Sequence, residues 1–496
     1  MNSPGRELEL KFIVGPRDAN ILADVLSAGE PPSVRALASI YFDTASHSLW
    51  RAGYTLRLRK DGRRWTQTIK SRSGLDGGLA RGEWETPARR GAPDLAAARR
   101  TPLAGVLPRR GRLAPLFRVT VERTSWRVVE PDGVIEVSLD RGAAEAKGRR
   151  VPILEVELEL KSGDPGALFA LARRLGQAVP LRLSFTTKAD RGMALSVRTG
   201  EAARHFRAPE LRGEMTAGAA FRAIARASVA QIAGNAEALS SGGGEEAVHQ
   251  MRVGARRLRG ALSIFKAMLA EDRVDGIDAE LRWLTGEFDA VRDLDVFLAG
   301  AFARIPPDEA DRATLGRRLR RARAAALARA RAAVASERFA SLLIDGLIWI
   351  EAGPWTLPGA AGSARRDSPV ADFAAGRLEK GRRKVERRGR GLKTMDRKER
   401  HRLRIRAKTL RYGADAFVGL FGHPHRAERF RDALKGFVEC LGDLNDIAAG
   451  EAIAAEFALP ESLIAAETAR EDELVDAARR AFAGFRRARP FWSCKT

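Results

Sequence analysis

Polar and apolar residues alternate one by one in several short runs within the first 200 or so residues. In the run ELELKF, which begins at Glu7, every second side chain is charged and the others are apolar. The same alternation occurs in three further runs: TLRLRK from Thr55, EVSLD from Glu136 and LEVELELK from Leu154. A period of two residues is typical of β-strands, because successive side chains in a strand point to opposite faces. The pattern therefore predicts a strand-rich region, with short helices near residues 17–28 and 165–176.

The period changes after about residue 212. Alanine, leucine and arginine dominate from there, and apolar residues recur at helical spacing. The stretch TGEAARHFRAPELRG from Thr199 is the predicted linker, and the Gly- and Pro-rich stretch from Glu351 to Pro369 divides the helical region. The sequence thus predicts an α+β protein with two domains, residues 1–205 and 213–492. The second domain should contain two parts, at about residues 213–352 and 370–492.

The two helical parts repeat one arrangement of basic residues. We call the sets the first basic stripe, His249, Arg252, Arg256 and Arg259, and the second basic stripe, His401, Arg404, Lys408 and Arg411. In both stripes the members are spaced by 3, 4 and 3 residues. Five apolar residues accompany each stripe at equal offsets: Met251, Ala255, Leu258, Leu262 and Phe265, and Leu403, Ala407, Leu410, Ala414 and Phe417. Since VRDLDVF around Asp293 also has a counterpart in LGDLNDI around Asp443, we infer an internal duplication, with two related helical bundles about a pseudo-twofold axis.

Charge narrows the range of partners. The chain has 496 residues, a net charge of +24 and an isoelectric point near 10.9, which favours an anionic partner such as nucleic acid, an acidic membrane or a phosphate-rich small molecule. An Arg-rich, GC-biased genome would also produce this charge. The two cysteines exclude a disulfide framework and a Cys-based zinc site. No signal peptide is predicted, and the apolar stretch from Phe339 is too short to span a bilayer, so we expect a cytoplasmic protein without a membrane partner.

Charges on the strands are segregated by sign. Glu7 and Glu9 form one acidic pair and Glu155 and Glu157 another, whereas TLRLRK contributes arginines. A sheet with one solvent-exposed face would also carry charges. However, there are enough predicted strands to close a barrel, and a barrel with its charged faces inward would be a polar tunnel. Such a tunnel suits a polyanion bound by Arg and Lys, with carboxylates holding a divalent metal ion.

Nine ordered blocks of the first 200 or so residues resemble the CYTH superfamily, the triphosphate tunnel metalloenzymes. The blocks are ELELK at Glu7, YFDT at Tyr41, LRLRK at Leu56, TQTIK at Thr66, RGEWE at Arg81, VERTSW at Val121, EVSLD at Glu136, LEVELELKSG at Leu154 and TTKADRG at Thr186. The resemblance implies an eight-stranded antiparallel β-barrel that hydrolyses or rearranges triphosphates with Mg²⁺ or Mn²⁺.

The resemblance also implies roles for single residues. The metal ligands would be Glu7, Glu9, Asp140, Glu155 and Glu157. The phosphate ligands would be Lys11, Arg57, Arg59, Lys70, Arg123 and Lys188. Arg118 and Arg123 fall on opposite faces of one ideal strand, and Arg123 is the preferred tunnel residue.

The helical region resembles the CHAD domain, the conserved-histidine α-helical domain, over about residues 213–490. This resemblance rests on HQMRVGARRLR at His249 and its repeat at His401, and it implies binding of inorganic polyphosphate. The candidate ligands are the two stripes together with Arg257 and Tyr412. Solvated helix faces are the alternative, and the histidines could simply cap or pack. Nucleic acid is disfavoured, because bases stack on aromatic side chains and Tyr412 is the only aromatic residue that lies directly beside a member of either stripe in the sequence.

These resemblances together lead to one expectation and two alternatives. We expect a metal-dependent inorganic triphosphatase with an attached polyphosphate-binding helical domain, located in the cytoplasm and on polyphosphate granules. The first alternative is hydrolysis or cyclisation of an organic triphosphate, as by a thiamine triphosphatase, an RNA triphosphatase or a class IV adenylyl cyclase. The second is a polyphosphate-granule protein whose barrel only binds. Carboxylates inside the tunnel argue against the second alternative, because a pure anion binder gains nothing from them.

Overall fold

The chain folds into two compact units in a computed structural model. It describes residues 7–71, 80–89, 91–107, 113–197, 203–206, 208–269, 273–305, 312–458 and 469–493, and only the backbone of Glu7, Ala80 and Arg81. The side chain of Glu7, linker residues 198–202 and 207, and Cys494 therefore lie outside the described residues. The first unit comprises residues 1–203 and 337–352, and the second comprises residues 204–336 and 353–496. No helix in the described ranges is long and apolar enough to cross a membrane.

Strands dominate the first unit. They are β1 (Glu7–Ile13), β2 (Ser33–Asp43), β3 (Tyr54–Asp61), β4 (Arg64–Ser71), β5 (Ala80–Arg81), β6 (Glu83–Pro87), β7 (Ala114–Glu130), β8 (Gly133–Ala146), β9 (Arg149–Gly163) and β10 (Arg182–Leu183). The helices are α1 (Pro16–Ser27), α2 (Ser48–Arg51), α3 (Leu95–Ala98), α4 (Pro165–Ala178) and α5 (Lys188–Val197), with a 3-10 turn at Pro102–Gly105. Helices α1 and α4 confirm the two that the sequence predicts.

The strands close on themselves in an antiparallel order. The sheet runs β10-β1-β9-β8-β7-β2-β3-β4-β6, and β5 pairs with the free edge of β1. Gly82 alone separates β5 from β6, so these two segments form one interrupted strand that joins β4 to β1. Counted in this way, the described residues form a barrel of eight strands, and β10 adds a short pairing to the end of β1. The predicted antiparallel barrel is confirmed.

Alternation divides the barrel residues between an inner and an outer face. Apolar residues on the outside of β3 and β4, such as Leu56, Leu58 and Ile69, are buried together with residues around α2 and α3. Inside, the faces of β2, β7, β8 and β9 are apolar towards one end, where Met193 of α5 packs against them. Gly192 brings α5 directly onto the ring of Phe117, because a Cβ atom there would lie 2.1 Å from that ring. Helix α5 therefore covers one end of the tunnel and reaches it with its first residue, Lys188.

Helices make up the second unit. They are α6 (Ala217–Ser240), α7 (Glu245–Phe265), α8 (Arg273–Ala299), α9 (Arg312–Ala335), α11 (Ser363–Arg366), α12 (Val370–Gly389), α13 (Arg397–Phe417), α14 (Pro424–Glu456) and α15 (Glu471–Arg487). Three 3-10 turns lie at Phe302–Arg304, Pro354–Thr356 and Val418–Leu420. The remaining helix, α10 (Glu337–Ala352), belongs to the first unit.

The duplication appears in the bounds of α7 and α13. Each has 21 residues, begins four residues before its histidine and ends on a phenylalanine. The ten apolar residues that accompany the two basic stripes are all buried. The two helices pack against each other, and the rings of Phe265 and Phe417 meet with centroids 5.9 Å apart. The two copies of the repeat therefore share one core through the helices that carry the stripes.

Helix α10 lies with the barrel, although its sequence stands among the helical repeats. It packs on α4 and β10, and Arg173 of α4 donates a hydrogen bond to Asp345 at 3.0 Å. A Cβ atom at Gly176 of α4 would lie 3.9 Å from Ile344. The sequence pattern instead assigns residues 337–352 to the first helical part. The first unit thus includes an apolar helix from a distant position in the chain.

This arrangement predicts that residues 1–205 alone are less stable than the same residues joined to α10. We expect the melting temperature of fragment 1–205 to lie about 5 °C or more below that of a fusion with residues 335–354 through a flexible linker, because each buried Leu or Ile contributes roughly 1.5–3 kcal/mol. Thermal unfolding followed by circular dichroism measures the difference. Ile344→Asp in the fusion should remove the gain. Equal melting temperatures would show that α10 contributes nothing to the barrel unit.

Candidate functional site

Three carboxylates form a buried cluster on the inner face of β8 and β9. Asp140 lies opposite Glu155 in the pairing of these strands, and Glu157 follows Glu155 on the same face. One oxygen from each carboxylate lies within 4.8 Å of the others. Asp140 and Glu155 are fully buried, whereas Glu157 is 14% exposed. The alternation read from the sequence therefore brings these three predicted metal ligands together.

Cations from three other elements surround this cluster. The ammonium group of Lys188 lies 2.6 Å from both Asp140 and Glu155 and 2.8 Å from Glu157. Lys11 of β1 lies 2.8 Å from Glu157. Arg123 of β7 donates two hydrogen bonds of 2.7 Å to Asp140 and another to Glu157. Each buried carboxylate thus has a charged partner, as low-dielectric surroundings require.

These contacts determine the protonation states. Burial alone would raise the pKa of Glu157, but the neighbouring cations Lys11, Lys188 and Arg123 lower it well below its usual value. Burial likewise opposes charge on Lys11 and Lys188, yet Glu155 and Glu157 raise the pKa of both. The carboxylate of Glu157 is therefore ionised near neutral pH and cannot donate a proton. The two lysines act as fixed positive charges.

The opposite wall of the barrel carries the predicted phosphate-binding cations of β3 and β4. Arg57 donates a hydrogen bond of 3.4 Å to the hydroxyl of Tyr41. Arg59 lies 3.1 Å from Glu85, and Lys70 lies 2.8 Å from Glu83. Burial and the nearby Arg57 guanidinium lower the pKa of Arg59. Since Glu83 and Glu85 share the inner face of β6, this wall is cationic with two carboxylates at its edge.

Sequence reasoning missed three of these residues. Glu83 and Glu85 stand within RGEWE, where alternation with Trp84 places them on one face. Arg191 is one helical turn after Lys188, and its guanidinium lies 3.7 Å from Glu155. The signal for Arg191 was available in TTKADRG, because residues three apart share a helix face.

The remaining predicted tunnel residues occupy β1 and β7. Glu9 lies on the inner face, 3.7 Å from Lys11 and directly opposite Glu159. Arg123 faces the tunnel, whereas Arg118 is exposed on the outer face of the same strand. Ten of the eleven predicted tunnel side chains are thus described. Glu7, whose backbone pairs with Arg81, is the eleventh.

In the second unit, the two basic stripes converge where α7 packs against α13. Lys408 is close enough to Arg404, Arg256, Arg411 and Arg252 for all four to act on its charge. Burial and these four cations lower the pKa of Lys408 from 10.5 to about 6. Burial and Arg256 likewise lower the pKa of Arg404. The electrostatic repulsion among these cations would be reduced by a bound anion.

Arg252 and Arg259 of the first basic stripe each form a close ion pair with an aspartate. Arg252 is 7% exposed and lies 2.6 Å from Asp289, and Arg259 lies 2.6 Å from Asp278. Burial and Arg256 lower the pKa of Arg252 to about 10. Arg252 therefore cannot be replaced without disturbing the packing around it. A reversal there would place a carboxylate beside Asp289 in the interior.

Other candidate polyphosphate ligands have aromatic or polar neighbours. The guanidinium of Arg257 lies over the rings of Phe206 and Tyr412, 4.2 and 5.1 Å from their centroids. His401 shares a hydrogen bond of 2.7 Å with Asn445, in the LGDLNDI segment. His249 is half-buried, and burial together with Arg292 lowers its pKa. These residues border the basic surface formed by the stripes.

Comparison with known proteins gives two family matches. The model described as the CYTH domain matches residues 5–193, and the model described as the CHAD domain matches residues 223–455. An inorganic triphosphatase of Haemophilus influenzae is 30% identical over 194 residues. This match covers 38% of the present chain and 55% of the relative, so the chain spans about half the length of that protein.

Two solved structures are also similar. The CHAD domain from the plant Ricinus communis is 27% identical, with a TM-score of 0.47, and the match covers 59% of this chain and 94% of that one. A Hippeastrum protein described as having a dominant triphosphatase activity is 19% identical, with a TM-score of 0.29. That match covers 38% of this chain and 94% of the other.

Proposed function

Since this chain is a CYTH-CHAD protein, with a CYTH domain followed by a CHAD domain, we propose that it hydrolyses inorganic triphosphate in its barrel and binds inorganic polyphosphate with its helices. The observation that carries the first part is the division of the tunnel into two walls. One wall holds Asp140, Glu155 and Glu157, and the other presents Arg57, Arg59 and Lys70. A polyanion with bound divalent metal is the ligand that needs both.

The acidic cluster fits Mg²⁺ or Mn²⁺. These ions take carboxylate oxygens, and the three carboxylates lie close enough to share one ion. In the structure the ammonium of Lys188 lies 2.6–2.8 Å from all three, so the cluster already accommodates a positive charge at its centre. Glu9 and Glu7 of β1 would supply further oxygens. These carboxylates would hold the ion, which would act as a Lewis acid and make the terminal phosphorus more reactive towards water.

The side chains of the barrel would position and neutralise the substrate. In hydrolysis, the oxygen of water bonds to the terminal phosphorus, and the bond between that phosphorus and the bridging oxygen breaks. The products are phosphate and pyrophosphate, which keeps the bridging oxygen. Negative charge on the phosphates is stabilised by fixed cations, of which Arg57, Arg59 and Lys70 stand on one wall and Arg123 on the other. Lys11 and Lys188 stay protonated because of their carboxylate neighbours, so they contribute charge rather than base catalysis.

Two observations favour inorganic triphosphate over an organic one. Helix α5 covers one end of the tunnel, where Gly192 and Met193 pack against the apolar residues around Phe117 of β7, and this limits the room for an organic group on that side. The similar protein of Haemophilus influenzae is named as an inorganic triphosphatase. Rates of phosphate release from tripolyphosphate, ATP and thiamine triphosphate test the preference. A higher kcat/KM for either organic substrate would overturn it.

The helical unit would bind polyphosphate where the two stripes converge. Arg256 and Arg404 oppose a positive charge on Lys408, and a bound linear polyanion would offset that repulsion. Side chains from two helices line this surface, so a chain of phosphates can contact both. Binding of this kind would bring the protein to polyphosphate granules in the cytoplasm.

The lowered pKa of Lys408 predicts proton uptake on binding. In the free protein Lys408 loses its proton above about pH 6, whereas a bound polyanion restores the pKa towards 10.5. The complex therefore binds more protons between these values, and affinity should rise by up to about tenfold per pH unit as the pH falls. Titration calorimetry at pH 8 in buffers of different ionisation enthalpy should give an uptake approaching about one proton.

Lys408→Arg is the matched control, because arginine stays charged throughout this range. It should bind polyphosphate with little or no proton uptake. An unchanged uptake in this variant would assign the proton to another group, and no uptake in the wild type would contradict the position of Lys408 in the binding surface.

A further inference from the structure

A third basic stripe lies on α12, away from the convergence of α7 and α13. It consists of Arg377, Lys380, Lys384 and Arg387, spaced by 3, 4 and 3 residues like the other two. Lys380, Lys384 and Arg387 are exposed, and Arg377 is half-buried. The four side chains follow one face of the helix over about 15 Å, at a rise of about 1.5 Å per residue.

Acidic residues on α12 do not neutralise this third basic stripe. Glu379 pairs with Arg383 and Glu386 with Arg382, and both pairs lie on a neighbouring face of the helix. Within the described ranges, no member of the stripe forms an ion pair with an acidic residue. Arg377 donates a hydrogen bond of 3.2 Å to the backbone carbonyl of Ser263. The positive charge of the stripe is therefore left for solvent or a ligand.

The neighbouring helix α13 adds to the positive charge of the third basic stripe. Arg406 is exposed on α13, five residues after His401 and two before Lys408, on another side of that helix from the second basic stripe. Burial, Lys380 and Arg406 are the leading causes that lower the pKa of Lys384, followed by Arg377 and Arg387. The stripe and Arg406 therefore form one continuous basic surface across α12 and α13.

The duplication does not account for this surface. Helix α6 is the counterpart of α12, since Thr216 before α6 and Pro369 before α12 pair with each other at the starts of these helices. When the helix starts are aligned, the positions of the stripe correspond to Ile224, Ala227, Gln231 and Gly234. Three of these four are buried, and none is charged. The third basic stripe is thus an addition in the second copy alone.

We propose that the third basic stripe, together with Arg406, is a second binding surface for long-chain polyphosphate, used by chains longer than the first surface can hold. This inference rests on the proposed polyphosphate binding. None of the four residues of the stripe is aromatic, and the half-buried ring of Phe373, one turn before Arg377, is stacked on Phe265. Among the described residues, Ile405 beside Arg406 is the large exposed apolar residue next to this surface. A phosphate chain without bases or lipid tails fits these features better than RNA or a membrane does.

The test uses the full chain with Lys380→Gln, Lys384→Gln and Arg387→Gln together. Affinity for long-chain polyphosphate should fall by about 10- to 100-fold at low salt, and the slope of log K against log salt should become less steep by about 2. Affinity for tripolyphosphate should not change. The matched control removes three exposed charges elsewhere, with Arg480→Gln, Arg486→Gln and Arg487→Gln on α15, and should bind like the wild type.

The outcomes distinguish a failure of the second binding surface from a failure of the proposed polyphosphate binding. If the wild type binds no polyphosphate, both this inference and the proposed function of the helical unit are wrong. If the wild type binds and the triple variant binds equally well, or the α15 control loses as much affinity, only the second surface is wrong. Loss of single-stranded RNA or anionic-vesicle binding by the triple variant, with polyphosphate binding intact, would likewise overturn the proposal in favour of those ligands.

Discussion

Phosphate release from tripolyphosphate is expected to fall by about 10²- to 10³-fold when Glu157 is replaced by glutamine. The substitution preserves the size of the side chain and removes its charge. Glu157 contacts Lys11, Lys188 and Arg123, so it connects cations from three different elements of the barrel unit. Without this charge, the cluster should hold a divalent ion less tightly, and three cations lose the anion that positions them. Initial rates at saturating Mg²⁺ or Mn²⁺ measure the effect.

The matched control for this variant is Glu122→Gln. Glu122 is exposed on the outer face of β7, next to Arg123 but on the other side of the strand, and its loss should leave the rate unchanged. Circular dichroism of both variants shows whether a variant with a lower rate is still folded. Asp140→Asn provides a second test should Glu157→Gln unfold, because Asp140 belongs to the same cluster. A folded Glu157→Gln or Asp140→Asn variant at the wild-type rate would contradict the assignment of this cluster.

Polyphosphate affinity is expected to fall by about 10²- to 10³-fold when Arg256 and Lys408 are both replaced by glutamate. Each change removes a charge-assisted contact and adds a repulsive carboxylate. The pair samples both stripes, one residue on α7 and one on α13, at the point where the stripes converge. Arg252 is unsuitable for this test because it is buried beside Asp289. Titration calorimetry with long-chain polyphosphate gives the affinities.

Replacement of Arg480 and Arg487 on α15 by glutamate also introduces two carboxylates, and it should cost little affinity. Affinity of the wild type should also weaken with added salt, as counterion release predicts for a linear polyanion. If the Arg256→Glu, Lys408→Glu variant folds and binds polyphosphate like the wild type, the stripes are solvated helix faces. If single-stranded RNA of matched charge displaces the polyphosphate, the stripes are a general polyanion surface rather than a polyphosphate site.

Alternation alone predicted which face of each strand carries the site. Asp140, Glu155 and Glu157 fall on one face because side chains in a strand repeat every two residues, and a slip of one residue would place all of them outside. The pairing of β8 with β9 then brings Asp140 beside Glu155. This part was predictable because it depends on local geometry.

Contacts from distant segments were not predictable in the same way. Lys188 reaches the acidic cluster only because α5 crosses the end of the barrel, and that crossing depends on the fit of Gly192 against Phe117. Helix α10 is apolar enough to bury against any surface, so its periodicity could not identify the barrel as its partner. Hydrophobic patterning specifies that a face is buried, not which element covers it.

Residues at equal spacing within the stripes have different surroundings, which the sequence could not predict. Arg252 and Arg256 are four residues apart on one helix, yet the first is buried beside Asp289 and the second is half-buried among cations. The pKa of about 6 for Lys408 arises from burial and from charges on two helices. Such a value depends on three-dimensional proximity, which the 3, 4, 3 spacing alone cannot supply.

The initial rate of phosphate release from tripolyphosphate by the full chain, with Mg²⁺ or Mn²⁺ and with a chelator, is the measurement that bears most directly on the proposed activity. We expect release with either metal ion, almost none with the chelator, and slower release from ATP and thiamine triphosphate. A protein that binds long-chain polyphosphate but releases no phosphate from tripolyphosphate with either metal ion would contradict this function, and its barrel would then be a binding module.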